Sequence, residues 1–341
     1  MNFKTVVIVN DFNFIQGGAS KVAIETARIL KEEGIKVYFF SAVYKNVDLI
    51  DGVEYISTNQ NEALKEKNKL KGAINGIYNF KARNKMKTLL KALDRDTTII
   101  HIHGWTKALS SSIFDIAFKM NFKVVLTLHD YFTACPNGGY FNYKQNKICK
   151  LKPLSAMCIK CNCDSRNYGF KIYRIIRQIV QNKVVKLNDR LKNVISISEM
   201  SEKILKSTLG ENTKIKRIYN PIEFEKKQNI VTAEENEYYL YVGRISQEKG
   251  VDIFCEALTD LKKKGIVVGE GPLKNILKEK YPNINFVGWK DKENIGDYMK
   301  KAKALIFPSR WYEGAPLTPL EGFSFRVTLY YERLFYSSRI L

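Results

Sequence analysis

Short β-branched runs that alternate with longer stretches of helical periodicity constrain this chain most. Thr5–Val9, Ile35–Ser41, Thr98–Ile102, Lys123–Leu128, Val194–Ser198 and Ile215–Tyr219 each read as a buried strand. After the first of them, Val22, Ala23, Thr26, Ala27, Ile29 and Leu30 follow a helical period that stops at Gly34. Strand–helix repeats with continuously apolar strands build parallel sheets covered on both faces. Asn220-Pro221 marks a turn, and the polar segment Glu223–Glu237 predicts a linker. A second block then repeats the pattern, with strands Tyr238–Val242, Ile266–Val268, Ile284–Val287 and Ala304–Phe307 and a helix from Val251 to Lys262. The expected fold class is α/β, with an N-terminal domain over residues 1–225 and a C-terminal domain over 226–341 facing it across a cleft. Open α/β sheets take ligands beyond the C-terminal ends of their strands, so the motifs at those ends matter most.

The chain has 341 residues and a net charge of +21. Lysines 65, 67, 69, 71, 81, 85, 87 and 91 with Arg83 form one basic run, and residues 166–192 form another. Such faces attract nucleic acid, anionic lipid headgroups or diphosphates, although solvated helix faces account for them equally well. Lys171, Arg174 and Arg177 on one predicted helix suggest a lipid-diphosphate acceptor at a membrane surface. No apolar run reaches the roughly 18 residues of a membrane span. The N-terminus lacks the pattern of a signal peptide. The expected location is cytoplasmic, with peripheral attachment at the inner face of the plasma membrane.

Gly17-Gly18-Ala19-Ser20 follows the first strand, where glycines admit a ligand to the backbone and a helix N-terminus offers amides to an anion. The spacing is not that of a dinucleotide fingerprint, and an ordinary turn with Ser20 as N-cap explains it equally. His101, His103-Gly104 and His129-Asp130 hold all three histidines at the ends of two strands. Gly243-Arg244-Ile245-Ser246-Gln247-Glu248-Lys249-Gly250 is a loop whose fork and point charge suit a diphosphate. Gly269-Glu270-Gly271-Pro272 and Phe286-Val287-Gly288-Trp289 are turns that let a nucleobase approach. Glu313 and Glu321 flank the segment before a helix. Thr318-Pro319-Leu320-Glu321 has the form of a capping box, so Glu321 has a structural reading beside a functional one.

Cys135, Cys149, Cys158, Cys161 and Cys163 crowd into one window, and only Cys255 lies outside it. In a cytoplasmic chain this favours a structural zinc over disulfides. Cys158-x-x-Cys161 has zinc-ligand spacing, and five candidates compete for four places. Reduced thiols and redox chemistry are the other readings.

Together these residues resemble a retaining glycosyltransferase of the GT-B fold, two Rossmann-like domains, in the group 1 or GT4 family. The Glu313-x7-Glu321 element is the most specific part. The likeness implies that Arg244 and Lys249 hold the diphosphate of a nucleoside-diphosphate sugar, with Glu270 also on the donor side. It places Glu321 at the ribose, Glu313 at the transferred sugar and His129 near that sugar. Gly17 and Gly18 would face phosphate and acceptor. The implied reaction needs no catalytic cofactor, and the chain is expected to contain no Asp-x-Asp metal motif, in keeping with a metal-independent mechanism. The cysteine window looks like that of a bacterial polysaccharide-assembly subgroup, with a glycan or lipid-diphosphate-linked acceptor and no nucleic acid partner.

The resemblance breaks after Ser324-Phe325. Residues 326–341 are aromatic and basic without Gly or Pro, as in a frameshifted or shortened gene. An incomplete second domain is therefore expected. The competing functions are an inactive transferase remnant, a nucleotide-sugar epimerase, and a zinc-containing basic protein that binds nucleic acid.

Overall fold

The computed structural model describes residues 3–47, 49–221 and 236–331. The chain divides into two compact units, 1–139 with 151–221, and 140–150 with 222–341. The first five strands are β1 (Thr5–Phe12), β2 (Lys36–Val43), β3 (Glu54–Ser57), β4 (Thr98–Ile102) and β5 (Lys123–Leu128). A hairpin of β6 (Phe141–Asn142) and β7 (Lys147–Ile148) comes next, then β8 (Asn193–Ser196) and β9 (Lys214–Arg217). The first unit orders its strands β3-β2-β1-β4-β5-β8-β9, all parallel. β1 lies inside the sheet between β2 and β4, which suits the full burial of Val7, Ile8 and Val9. The helix Gly18–Glu32 lays Ala23, Ile24 and Ala27 on Ile8, Val37 and Phe39. Each large aliphatic side chain sealed this way contributes about 1.5–3 kcal/mol.

The second unit contains β10 (Tyr238–Val242), β11 (Gly265–Val268), β12 (Ile284–Gly288), β13 (Ala302–Phe307) and β14 (Thr328–Tyr331) in the parallel order β12-β11-β10-β13-β14. Successive residues of β10 serve opposite faces. Tyr241 packs with Phe254, Val267 and Phe286, whereas Leu240 and Val242 pack with Met299, Leu305 and Val327. Both sheets reverse strand order beside their central strand, between β1 and β4 and between β10 and β13. Such switch points hold ligands in open α/β sheets.

Several expectations need correction. Residues 140–150, inside the cysteine window at 135–163, group with the second unit and not the first. β3, the short hairpin and β14 were not expected. The chain beyond Phe325 continues the sheet, with Ala304 beside Thr328 and Phe307 beside Tyr331. The expected break is therefore no break in the sheet, and residues 332–341 of that tail lie outside the described residues. So does most of the expected linker, residues 222–235. Thr318 is not an N-cap. The helix Leu317–Ser324 is entered from Pro316 with no side-chain cap, which puts Glu321 in its second turn. Ser20 is likewise inside its helix, where its hydroxyl donates to the Gly17 carbonyl and accepts from the Gln16 amide.

Candidate active site

In the second unit, three loops meet at the C-terminal end of β10. Gly250 takes a φ of 66°, and a Cβ there would strike the Pro308 carbonyl, so this glycine permits the first loop to touch the segment after β13. The contact sets Lys249 against Glu313. Lys249 Nζ lies 2.6 Å from Glu313 Oε1 and 5.0 Å from the centroid of the Trp311 ring. Ser309 Oγ donates to the same carboxylate oxygen at 2.6 Å. Glu313 is buried, so these two donors offset its lost hydration. Among the described residues Glu313 Oε2 has no hydrogen-bond partner.

The mount beneath the pair is stiff. Arg310 forks onto Asp252 at 2.7 and 2.8 Å, and its amide donates to the Glu248 carbonyl at 2.8 Å. Glu248 is buried and accepts from Ser246 Oγ. The third loop closes on the first through glycines 269 and 271, where a Cβ would meet the backbone of Gly243 and Ile245. The Arg244 guanidinium is exposed and has no partner among the described residues. Glu270 is exposed and ion-paired with Lys274 at 2.6 Å. Glu321 lies half-buried in the following helix. The fold thus gathers the loops of Arg244, Lys249, Glu270 and Glu313 at one switch point. Ser309, Arg310 and Trp311 stand in the motif segment and still gave no separate signal. Asp252 and Glu248 carried none either, because spacing does not show which distant side chains meet.

In the first unit, the corresponding strand ends carry Asp11, the histidines and the glycine loop. Gly17 has a φ of 155° and open space where a Cβ would stand. Asp11, unmarked in the sequence, is buried and accepts from the amides of Lys107, Ala108 and Leu109 at 2.9 Å, which pins the loop after β4. Burial raises its carboxyl pKa, and those amides oppose the rise. His103 Nδ1 lies 3.0 Å from His129 Nε2, and His101 Nε2 lies 2.8 Å from Thr127 Oγ1. Burial, with the His101 charge second, lowers His129 well below its ordinary value, although the residue as a whole is only half-buried. Burial lowers His101 to about 4 and holds His103 well below its ordinary value. The three imidazoles are therefore neutral at physiological pH and can exchange hydrogen bonds but not charge. Asp130 is pushed up to about 6, chiefly by burial.

Two further expectations change. Asp94-Arg95-Asp96 does have Asp-x-Asp spacing. However, it precedes β4 at the opposite end of the sheet, where Asp94 accepts from the Asp96 amide and Thr97 hydroxyl. The cations of the helix Tyr168–Ile179 do not face solvent. Arg174 pairs with Asp164 at 2.9 Å, Arg177 donates to the Thr106 and Pro136 carbonyls, and Lys171 is 1% exposed. That helix therefore lends no basic surface to a membrane. Among the described residues no helix is long and apolar enough to cross one.

Residues 16–226 match the family described as Glycosyltransferase Family 4, and residues 223–329 match that described as glycosyl transferases group 1. An uncharacterised 42.6 kDa protein in the cps region of Klebsiella pneumoniae is 25% identical over 247 residues, 70% of this chain. The chain spans 57% of that relative's length. The crystal structure of WaaG, a glycosyltransferase involved in lipopolysaccharide biosynthesis, superposes with a TM-score of 0.60 at 15% identity, covering 97% of this chain and 81% of WaaG. HepE of Anabaena, solved with UDP-glucose, gives 0.61 at 13% identity, covering 97% of this chain and 81% of HepE. At such identities the structural likeness speaks for the fold alone, and that fold is the GT-B arrangement of two α/β units with parallel sheets. The two family matches follow one another along nearly the whole sequence, and the chain belongs to glycosyltransferase family 4, group 1.

Proposed function

We propose that the chain transfers a sugar from a nucleoside-diphosphate sugar to an acceptor hydroxyl, with retention, in assembly of a cell-envelope polysaccharide. The observation that carries this reading is the Lys249–Glu313 pair at the switch point of the second unit, on the loop that also carries the exposed Arg244. In the reaction the bond from the anomeric carbon to the diphosphate oxygen breaks, and a bond to the acceptor oxygen forms. The acceptor's proton leaves with the departing phosphate. Fixed cations stabilise that leaving group without reorganising, which is the largest contribution such a site makes. Arg244 supplies a fork and Lys249 a point charge. Glu313 Oε2 receives a hydroxyl of the transferred sugar, Glu321 the ribose, and the Glu270 turn the base. Neutral His129 offers the sugar a hydrogen bond, while Gly17 and Gly18 face the acceptor side.

HepE's complex with UDP-glucose supports the donor class. The cps-region relative and WaaG's part in lipopolysaccharide synthesis support the product class. The lysines at 65, 67, 69, 71, 81, 85, 87 and 91 are exposed beside Leu70, Ile74 and Phe80, which favours a lipid-linked acceptor at an anionic inner membrane face. Calorimetry with UDP, GDP and ADP tests the donor site, with Glu321→Ala as the weakened control. Product analysis then tests the reaction. A new glycoside with the donor's anomeric configuration is expected. Rearranged donor without glycoside indicates an epimerase, and absence of nucleotide binding by folded protein indicates an inactive transferase.

A further inference from the structure

The helix Tyr168–Ile179 is turned the opposite way from an ordinary surface helix, whose apolar stripe faces the core. Its inner side buries Lys171, Arg177 and Gln178 together with Ile175. Lys171 is 1% exposed, whereas Ile176 is 44% exposed and Ile179 is equally open. The Lys171 ammonium lies 3.2 Å from Cys163 Sγ and 3.5 Å from Cys158 Sγ. Among the described residues no three His, Cys, Asp or Glu side chains stand in metal-holding geometry, although a zinc was expected of this cysteine window. Helical spacing puts Ile172, Ile176 and Ile179 on one outward face, and Val184 in the turn that follows is exposed as well. The helix Lys69–Ile77 is built alike. Gly72 and Gly76 form its inner side, where a Cβ would strike the Ala63 carbonyl and the Tyr173 hydroxyl, and Leu70 and Ile74 stand exposed. Tyr173 belongs to the first helix, so the two outward faces are neighbours within the first unit. The charge around them has one sign. Residues 67–91 and 165–188 contain no aspartate or glutamate, and Lys69, Lys71, Lys183 and Lys186 are exposed in or beside the two helices. The carboxylates at the edge are engaged, Glu62 with the Lys65 ammonium and Glu66 with the Lys67 amide.

We propose that these two helices dock the first unit on an anionic lipid bilayer. They lie in the plane of the interface, with their aliphatic side chains inserted among the headgroups and the flanking lysines on lipid phosphates. A contiguous apolar face with a polar rim marks an interaction surface, and a lysine-flanked apolar helix face finds its cover at the boundary of headgroups and acyl chains. The rim selects the occupant. A two-fold pairing of this face with a second copy would set two cationic rims against each other. Nucleic acid would meet the lysines through its phosphates but would leave Leu70 and Ile176 uncovered. An anionic bilayer answers both the charge and the aliphatic surface. The helix Tyr168–Ile179 thus contributes isoleucines to the membrane where the sequence suggested cations, and the basic part comes from the lysines around it. The proposal rests on the reading of a lipid-linked acceptor for its purpose, but docking itself involves neither donor nor acceptor.

Co-sedimentation of the full chain with vesicles of phosphatidylcholine, alone or mixed with phosphatidylglycerol, tests this. Binding to the anionic vesicles and not to phosphatidylcholine alone is expected. High salt should weaken it without abolishing it, because salt screens the lysines and leaves the inserted side chains in place. Ile176→Ser with Ile179→Ser should lower the affinity about tenfold or more, since exposed aliphatic surface is what the bilayer covers. Leu70→Ser with Ile74→Ser should do the same, and circular dichroism should show both variants folded. Absence of binding to anionic vesicles, or equal binding to phosphatidylcholine, overturns the proposal on the wild-type chain alone. Binding untouched by both aliphatic variants, or abolished outright by salt, overturns the insertion. A dimer in sedimentation velocity that the same variants dissociate overturns the bilayer in favour of a second copy. Nucleotide calorimetry on the same preparation keeps the two readings apart. Nucleotide binding without vesicle binding removes the docking surface alone, and vesicle binding without nucleotide binding removes the transferase reading alone.

Discussion

Lys249 and Lys171 are the same side chain, withdrawn from water in two different units, and their partners differ. Lys249 meets a carboxylate and a hydroxyl-bonded network, so its charge is balanced within the protein. Lys171 meets two thiols. A balanced pair can be exchanged for a ligand's charge, which is what a site that binds and releases a diphosphate needs.

The largest test breaks the balanced pair at its acid. Glu313→Gln keeps the shape and the Ser309 bond while removing the charge. Transfer should fall about a hundredfold or more, as when one preorganised polar group is removed from a reacting centre. Steady-state product formation reads the loss, and circular dichroism checks that the fold survives. Lys249→Ala leaves Glu313 buried without its cation. The second unit should lose about 2–3 kcal/mol in urea unfolding. The double change Lys249→Met with Glu313→Leu should regain most of that stability without regaining transfer. Lys171→Met is the opposite case. With no carboxylate stranded, the chain should lose little stability or gain some, and a loss as large as that of Lys249→Ala would erase the contrast.

The smallest effect is one of pH. The histidines are held neutral in the fold, with His101 lowered from 6.5 to about 4. The unfolded chain therefore binds more protons in that window, and the first unit should lose stability as pH falls from 6.5 toward 4. Asp130, raised from 3.8 to about 6, acts the other way, because the folded state takes up its proton first. Denaturation midpoints at pH 7 and 5 should show a net loss that Asp130→Asn makes steeper and His101→Asn makes shallower.

Much of this was legible in the sequence. The ends of β4, β5 and β10 fall where β-branched runs and following glycines or histidines put them. The loops of Arg244, Lys249, Glu270 and Glu313 were marked by glycines at strand ends. Three things escaped. Two-residue strands such as β6 and β7 carry no periodicity. The cap at Thr318 looked right locally, but the helix already begins at Leu317. Lys171, Arg174 and Arg177 suggested a wet surface because charge usually means solvent. Asp164 and the thiols just before the helix, with the carbonyls of residues 106 and 136 far from it in sequence, make burial tolerable, and spacing alone shows none of these contacts. The meeting of Lys249 with Glu313 was likewise invisible, since nothing local links residues 64 apart.

The hairpin of β6 and β7 has a consequence for how the protein is made. It belongs to the second unit, where the Gln247 side chain donates to the Tyr143 carbonyl at 2.9 Å. Yet the ribosome finishes it long before β10 exists. At bacterial-scale elongation rates the delay is on the order of ten seconds. During that interval the aromatic pair Phe141 and Tyr143 must wait without Gln247 and the strands of its own unit. The second unit is therefore discontinuous in time as well as in sequence. A fragment that starts after Pro221 would lack the earliest part of the unit it is meant to represent.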